Sequence, residues 1–448
     1  MAVLSPPRPT GLNRRPRTTE FGFLVASGLL TAAAFALAAM ANRDGTPPDV
    51  LPFLGLVLLL LGSAHLVVRR TAPEAEPTLL PLVAALNGLG YVMIARLDED
   101  LAARQSMWTL IGLVAFTITL FAVPRVRKFA EYRYLLAIAG LTLLLLPLLP
   151  FLGVTIRGAR IWISAGLFTI QPGEFARVVL TMFLAGYLID KRELLTVSTR
   201  RFAGINVPDL RHFAPLLVAL SLAILVMVAE RDLGSSLLFF ALFVVMIYLA
   251  TSRIAYVLTG VFLFAVGSLI AYQSFGHVRR RVSAWLFTFD DPDDAGYQVA
   301  EAAFAMADGG LFGTGIGEGT PNVIPVASTD MIFAAIGEEL GLVGAAGVLV
   351  AFLLVIGAGF RVALEATDPF EKLVAGGLSA LLGFQVLVIV GGVVRLLPLT
   401  GVTLPFVSYG GSSLVANYVI LALLIRISHS ARTDRAEGGT DLTVHGGS

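Results

Sequence analysis

Cysteine does not occur in this chain of 448 residues, which excludes disulfides, thiolate catalysis and cysteine-ligated zinc and leaves the redox compartment open. Charge is scarce as well. Only 14% of the residues are Asp, Glu, Lys or Arg, about half the share of an ordinary soluble protein. The 32 basic and 31 acidic residues nearly cancel to a net charge of +1, so the balance implies no nucleic acid or other acidic polymer as partner. Five histidines are scattered without ligand spacing, and no metal site built by the protein is expected. Apolar surface is what the chain has in abundance: 56% of its residues are hydrophobic. It reads as an integral membrane protein whose solvent is membrane lipid.

Residues 1–20 are rich in proline and arginine, with Arg8, Arg14, Arg15 and Arg17 and no apolar periodicity, and read as a disordered cytoplasmic arm. The first apolar run, Phe21 to Ala41, closes on Ala39-Met40-Ala41, which is similar to a signal-peptidase site. Its length of about twenty residues suits a membrane span better than the shorter core of a signal peptide, so it is expected to stay. Runs of similar length recur near 50–68, 78–95, 106–123, 134–152, 172–189, 213–229, 234–250, 254–273, 330–359, 372–394 and 405–427. The expected fold is all-α: a polytopic membrane helix bundle of about twelve transmembrane helices. It carries one large extracytoplasmic loop at 274–328 and ends in a disordered cytoplasmic tail at 429–448.

Lysine and arginine in the short connections set the orientation. The arm, Arg69-Arg70, Arg125 to Lys128, Lys191-Arg192 with Arg200-Arg201, Arg253, Arg361 with Lys372, and Arg426 with Arg432 fall on one side. An even number of crossings then puts both termini in the cytoplasm. The opposite connections, 42–49, 96–104, 153–167, 230–232, 274–328 and 395–404, are mixed or acidic apart from Arg279-Arg280-Arg281. That triplet suits snorkelling at a helix end or an anion site beside the aspartates.

The outer loop carries the densest polar chemistry. Asp290, Asp291, Asp293 and Asp294 cluster around Pro292, either as a solvated turn capping a short helix or as the source of a catalytic carboxylate. Gly309 to Gly319 superficially resembles a dinucleotide loop, but no strand is expected before it, and a tight re-entrant turn with close backbone approach fits better. Ionisable residues inside spans are costly enough to mark function. Glu174 and Arg177 stand one helical turn apart and can pair, Glu338 and Glu339 follow Asp330 in an apolar run, and Arg395 ends a helix. An ion-pair network between helices explains these charges as well as catalysis does. Arg160, beside Trp162, suits a diphosphate contact or an interfacial anchor. Pro398 to Ser413, with two prolines, adjacent glycines and Ser408-Tyr409, reads as a broken helix start that lines a cavity or lets helices approach closely.

Several of these segments together resemble one family. Gly296-Tyr297-Gln298, Gly309-Gly310-Leu311 with Gly313, Gly315 and Gly317, and Thr329-Asp330 through Gly341 are similar to the signature of the SEDS family, the shape, elongation, division and sporulation proteins of RodA and FtsW type. Gly158 to Trp162 running to Gln171-Pro172-Gly173-Glu174, Leu397 to Ser413 and, more weakly, Asp232 to Ser235 agree in the family's order, from roughly Leu86 to Ser428. The resemblance divides the chain into two additional N-terminal transmembrane helices at 21–76 and a SEDS-like bundle at 77–428. Gly173, Val326 and Pro321 depart from the serine, glutamate and glutamine common in relatives, and Arg177 stands where they carry lysine.

The resemblance implies a membrane peptidoglycan glycosyltransferase that polymerises lipid II into glycan strands on the outer face of the membrane, working with a class B penicillin-binding protein. It implies Asp291 as the catalytic residue and places Gln298, Thr329, Asp330, Ser408 and Tyr409 beside the substrate. The chemistry is compatible: one carboxylate deprotonates the acceptor's 4-hydroxyl as it attacks the donor's anomeric carbon, and cations, with Arg160 and Arg281 as candidates, receive the departing diphosphate. A diphosphate leaves without the second carboxylate that a glycosidase needs. No cofactor is expected within the protein, and a divalent ion, Mg or Mn, has a place only as companion of the diphosphate. A lipid II flippase or other transporter, and a non-catalytic scaffold that activates a partner synthase, would use the same membrane frame. A transporter needs its polar residues near the midplane, whereas this chain concentrates them in the outer loop.

Overall fold

The computed structural model describes residues 16–41, 50–156, 158–166, 168–193, 200–202, 205–207, 220–222, 224–228, 230, 232–290 and 296–444. The helices in chain order are α1 (Pro16–Ala41), α2 (Val50–Thr71), α3 (Leu79–Leu97), α4 (Glu99–Ala122), α5 (Arg133–Leu145), α6 (Pro172–Asp190) and α7 (Leu233–Thr251). They continue as α8 (Ile254–Ser274), α9 (Gly276–Leu286), α10 (Tyr297–Gly309), α11 (Ile332–Glu365), α12 (Pro369–Val393) and α13 (Gly411–Val444). Among the described residues, 11 helical segments are long and apolar enough to cross a membrane. They coincide with all the expected runs but one; that one, at 213–229, lies mostly outside the described residues.

Packing separates a protein-facing interior from lipid-facing flanks. Helix α13 packs on α4, α11 on α12, and α5 on α6, and Leu180 and Leu188 of α6, Leu378 of α12 and Leu423 of α13 are buried where they meet. Helix α8 instead leaves Val261, Phe262, Leu269 and Ile270 largely exposed. Lipid tails are as apolar as these side chains, so that face gains little from burial.

Three helix ends differ from expectation, each for a local polar reason. Helix α1 starts at Pro16, inside the segment expected to be disordered, and its buried Glu20 lies 2.8 Å from His65 Nδ1 of α2. Helix α4 starts at Glu99 because Asp98 caps it, its Oδ1 accepting from Leu101 N–H at 3.0 Å, with Glu99 and Asp100 favourable in the first turn. Helix α13 runs on into the expected tail, where Arg432 pairs with Glu76 and, at 3.3 Å, with Glu365.

The bundle also contains a small antiparallel sheet in the connection after α5, which the all-α expectation did not include. Strands β1 (Gly153–Ile156), β2 (Ala159–Ala165) and β3 (Phe168–Ile170) lie in that order, with Val154 opposite Trp162 and Ser164 opposite Thr169. Gly158 (φ 81°) and Gly166 (φ 67°) supply the left-handed turn residues. A second pair, β4 (Arg200–Phe202) and β5 (Ile205–Val207), forms a two-stranded ladder.

The long loop holds α9 and α10, and its glycine-rich end is a re-entrant turn docked on α11. Gly341 interrupts α11 with φ 66° and ψ −171°. Thr314 and Gly315 N–H groups donate to the carbonyls of Glu338 (2.9 Å) and Glu339 (3.0 Å), while Leu342 and Val343 donate to Gly310 (3.0 Å) and Leu311 (3.1 Å). A Cβ at Gly313, whose φ is 83°, would stand 2.2 Å from the Glu339 oxygen, so the approach requires glycine.

Candidate functional site

The first turn of α6 supplies one wall of the site. Pro172 pre-sets the helix start, and the next turn brings Glu174 and Arg177 onto one face. Arg177 Nη1 donates to Glu174 Oε2 at 2.9 Å and Nη2 to Ser235 Oγ at 2.5 Å. Ser235 Oγ in turn donates to Asp232 Oδ2, and Ser235 N–H donates to Asp232 Oδ1 at 2.9 Å. Asp232 therefore caps α7 and also terminates a chain of charge-assisted hydrogen bonds running Glu174, Arg177, Ser235, Asp232. Arg177 is only 2% exposed; burying a guanidinium is tolerable because opposite charge and hydroxyl surround it.

The opposite wall comes from α9 and the irregular segment before α13. Arg281 Nη1 donates to the carbonyls of Leu399 (3.2 Å) and Thr400 (2.8 Å). Burial draws the Arg281 guanidinium below the usual arginine range, while the negative charges of Asp232 and Asp330 act the other way. Gly401, at φ 76°, holds the turn between them: a Cβ there would lie 3.6 Å from Asp330 Oδ2 and 3.8 Å from Arg281 Nη2. Together these walls enclose a cavity of about 410 Å³ that Glu174, Arg177, Asp232, Arg281, Asp330 and Tyr409 help to line. A second cavity of about 220 Å³ adjoins it, sharing Arg281, Asp330 and Gly401 and adding Trp285 and Gln298.

Of the residues expected at the site, Arg281, Gln298, Thr329, Asp330, Tyr409, Glu174 and Arg177 line one or both cavities. Others are engaged in holding the fold. Arg160 Nε and Nη2 donate to the carbonyls of Pro147 and Leu149, both at 3.0 Å, which clamps the sheet to the turn after α5. Ser408 Oγ donates to Thr329 O at 2.6 Å and accepts from Leu404 N–H at 2.9 Å, fastening the loop that presents Thr329. Glu338 Oε1 accepts from Thr320 N–H at 2.6 Å, and Glu339 Oε1 faces Arg96 Nε at 3.3 Å. Arg96 Nη2 also donates to the carbonyls of Gly317 and Gly319, both at 3.0 Å. The Arg395 guanidinium lies 4.5 Å above the Phe289 ring, and its carbonyl accepts from Trp285 Nε1 at 2.8 Å. Asp291, with Asp293 and Asp294, lies outside the described residues, and Asp290 is exposed.

Asp232, Ser235, Thr400 and Ser412 were not named as site residues from the sequence, although 232–235 belongs to the motifs of the resemblance and 398–413 was read as a cavity lining or a close helix contact; all four line the larger cavity. Asp232 offered one usable sign, since an aspartate directly before an apolar run is a helix cap. The other three are small polar residues whose role depends on partners distant in the chain; Ser412 Oγ, for instance, accepts from Gln171 N–H at 2.9 Å.

A family model described as cell cycle protein, covering FtsW, RodA and SpoVE, matches residues 78–433. Peptidoglycan glycosyltransferase RodA of Mycobacterium tuberculosis is 47% identical over 442 residues, covering 96% of this chain and 93% of the relative. Stage V sporulation protein E of Bacillus subtilis is 31% identical over 380 residues, covering 82% and 100%. A solved structure described as structural coordination of polymerization and crosslinking by a peptidoglycan synthase complex matches with TM-score 0.66 and 27% identity, covering 80% of this chain and 98% of that one. Rod shape determining protein RodA of Thermus thermophilus matches with TM-score 0.57 and 27% identity, covering 79% and 96%. With 96% of this chain aligned to the mycobacterial relative, the remainder is too short to hold α1 and α2, of 26 and 22 residues. These two helices precede the family match, and at least part of them falls within the alignment to that relative.

Proposed function

This chain belongs to the cell cycle protein family of FtsW, RodA and SpoVE and is a multi-pass membrane peptidoglycan glycosyltransferase, and on that premise we propose that it polymerises lipid II in the paired cavities around Arg281 and Asp330. One observation carries the reading: two guanidinium groups, Arg177 and Arg281, and three carboxylates, Glu174, Asp232 and Asp330, converge on one cavity. In the proposed reaction the acceptor's 4-hydroxyl attacks the donor's anomeric carbon. The bond from that carbon to the diphosphate breaks, a glycosidic bond forms, and the hydroxyl proton passes to Asp291. Arg281 and Arg177 hold the departing diphosphate, because fixed cations in a partly dry cavity stabilise charge as it develops. Thr329, Tyr409 and Gln298 orient the sugars.

The role of Asp291 rests on its motif and on its flanks, since Trp285 and Gln298 on either side of it in the chain line the smaller cavity. Among the described residues no group of three or more His, Asp or Glu could hold a metal ion. Mg or Mn would enter with the diphosphate, and no step here depends on it. The distribution of lysine and arginine supports cytoplasmic termini and an active site on the outer face. The synthase complex among the similar structures supports a class B penicillin-binding protein as partner.

The test is purified protein, alone and with such a partner, incubated with labelled lipid II and assayed for glycan strands. Asp291→Asn should polymerise about 100-fold more slowly or worse while still folding, and Asp293→Asn should retain most activity. A normal rate for Asp291→Asn sinks the assignment. Transport of lipid II across vesicles without strand formation would favour a flippase, and strand formation only by the partner would favour a scaffold.

A further inference from the structure

Glu230 is a buried carboxylate for which the proposed reaction has no use. It stands just before α7 and is 4% exposed, and its Oε1 has no hydrogen-bond partner among the described residues. Its backbone is firmly tied: its N–H donates to Val226 O at 2.9 Å and its carbonyl accepts from Arg160 N–H at 3.2 Å. A cavity of about 10 Å³ lies between Glu230, Asp232, Ser235 and Gln171, on the order of the space that one water needs. Asp232 and Ser235 also end the hydrogen-bonded chain that runs through Arg177 to Glu174. Two carboxylates thus share a small, mostly apolar chamber that adjoins the larger cavity through Asp232 and Ser235.

Such an arrangement holds a proton. Burial, with the negative charge of Asp232 adding to it, pushes the Glu230 carboxyl up to about 8. Among the described residues, the other charged groups near this region are Glu174 and Arg177 from α6, Arg160 from β2, and Arg281 from α9, which acts on Asp232; Arg231 lies outside the described residues. The Arg160 guanidinium is engaged by the Pro147 and Leu149 carbonyls, and α5 contributes only apolar Leu144 to the chamber.

We propose that Glu230 is a positioning acid of the polymerase: by keeping or releasing one proton it sets the charge at the Asp232 end of the cavity, and with it how tightly the substrate diphosphate is held. This rests on the cavity being the diphosphate site. With Glu230 neutral, Asp232 is the one carboxylate at this end of the hydrogen-bonded chain, and the positive charge of Arg177, held by Glu174 and Ser235 at the cavity wall, is less offset towards an incoming anion. Release of the proton adds a second negative charge that draws on Arg177 and repels the diphosphate. For charges on the order of 10 Å apart in a medium of effective dielectric about 20, the expected loss of affinity is about tenfold.

The experiment uses the full chain in detergent, with a short-chain prenyl diphosphate as probe and lipid II as substrate, at pH 6.5 and pH 9. Wild-type protein should bind the probe about tenfold more weakly at pH 9, with KM for lipid II rising in step and kcat changing less. Glu230→Gln, which mimics the neutral acid, should bind equally at both pH values and match wild type at pH 6.5. Its melting temperature should exceed wild type at both pH values and by more at pH 9, because a carboxyl whose folded value is raised to about 8 costs stability from its ordinary value upward until pH passes the folded value. A Glu230→Gln protein that follows the wild-type pH dependence, or that binds poorly at pH 6.5, overturns the proposal. If wild type and variant both polymerise lipid II with identical profiles, only the role of Glu230 fails. If neither binds the probe at either pH, the diphosphate site itself is misplaced and both readings fall.

Discussion

Two sets of buried charge sit in otherwise apolar helices of this molecule, and their partners set them apart. On α6 and α7, Glu174, Arg177 and Asp232 are joined through side-chain atoms and line a cavity. On α11, Glu338 and Glu339 face the backbone of Thr320 and the guanidinium of Arg96, which itself grips two glycine carbonyls. The first set leaves charge available to a ligand; the second spends it on shaping a loop. A charged residue in an apolar span thus marks a cost that must be offset, and whether the offset group also lines a cavity decides between chemistry and architecture.

Removing one cation that lines the cavity beside the first set and one that pairs with the second tests that contrast. Arg281→Ala, on the cavity side, should slow polymerisation about 100-fold, the effect of losing one fixed donor to developing charge. Abundance in the membrane should stay near wild type, and Arg281→Lys should restore part of the rate if simple charge suffices. Arg96→Ala should do the reverse. It leaves Glu339 buried without its cation, which costs about 3 kcal/mol, read as a lower melting temperature, while the rate per folded molecule holds within about twofold. An Arg96→Ala protein of normal melting temperature and no activity would erase the distinction.

Gly313→Ala probes the architectural set from the backbone side. The residue sits at φ 83°, and a methyl group there meets the Glu339 carbonyl at 2.2 Å. Strain and displacement together should cost about 1–3 kcal/mol, seen as easier proteolysis of the 309–319 turn in otherwise intact protein. Unchanged proteolysis would mean that the turn is not held by the glycine contacts described.

Much of the frame was legible in the chain itself, because lipid imposes a length rule that apolar runs either meet or miss. The pairing of Glu174 with Arg177 was legible too, since helical spacing alone puts them on one face. Asp232 was not. Its role depends on Ser235 carrying the contact from α7 across to α6, a tertiary fact with no local periodicity. The end of the bundle shows the same limit: the last helix begins at Gly411 rather than near 405, since Phe406 takes φ 64° and breaks the helical path inside an apolar run. The sheet after α5 was hidden because its strands are only 4, 7 and 3 residues long, too short for alternation to emerge from the apolar background.

Arg160 should give the smallest effect on catalysis, and it tests the contrast most finely because its sequence context offered equal support for either role. Its guanidinium donates to two carbonyls of the turn after α5, at 3.0 Å each; Arg281 also grips two carbonyls but lines both cavities, whereas Arg160 lines neither, and so Arg160 belongs with Arg96. Arg160→Ala leaves two carbonyls short of a partner in a partly exposed connection, where water can replace some of the loss. The expected cost is about 1 kcal/mol of stability, with polymerisation per folded molecule changed by no more than about twofold. Arg160→Lys should recover little of the stability, since one ammonium cannot reproduce a two-pronged donation to separate carbonyls. If Arg160→Ala instead slows polymerisation as much as Arg281→Ala does, the guanidinium must swing from the turn to the diphosphate when substrate binds, and the boundary between architectural and catalytic charge moves with it.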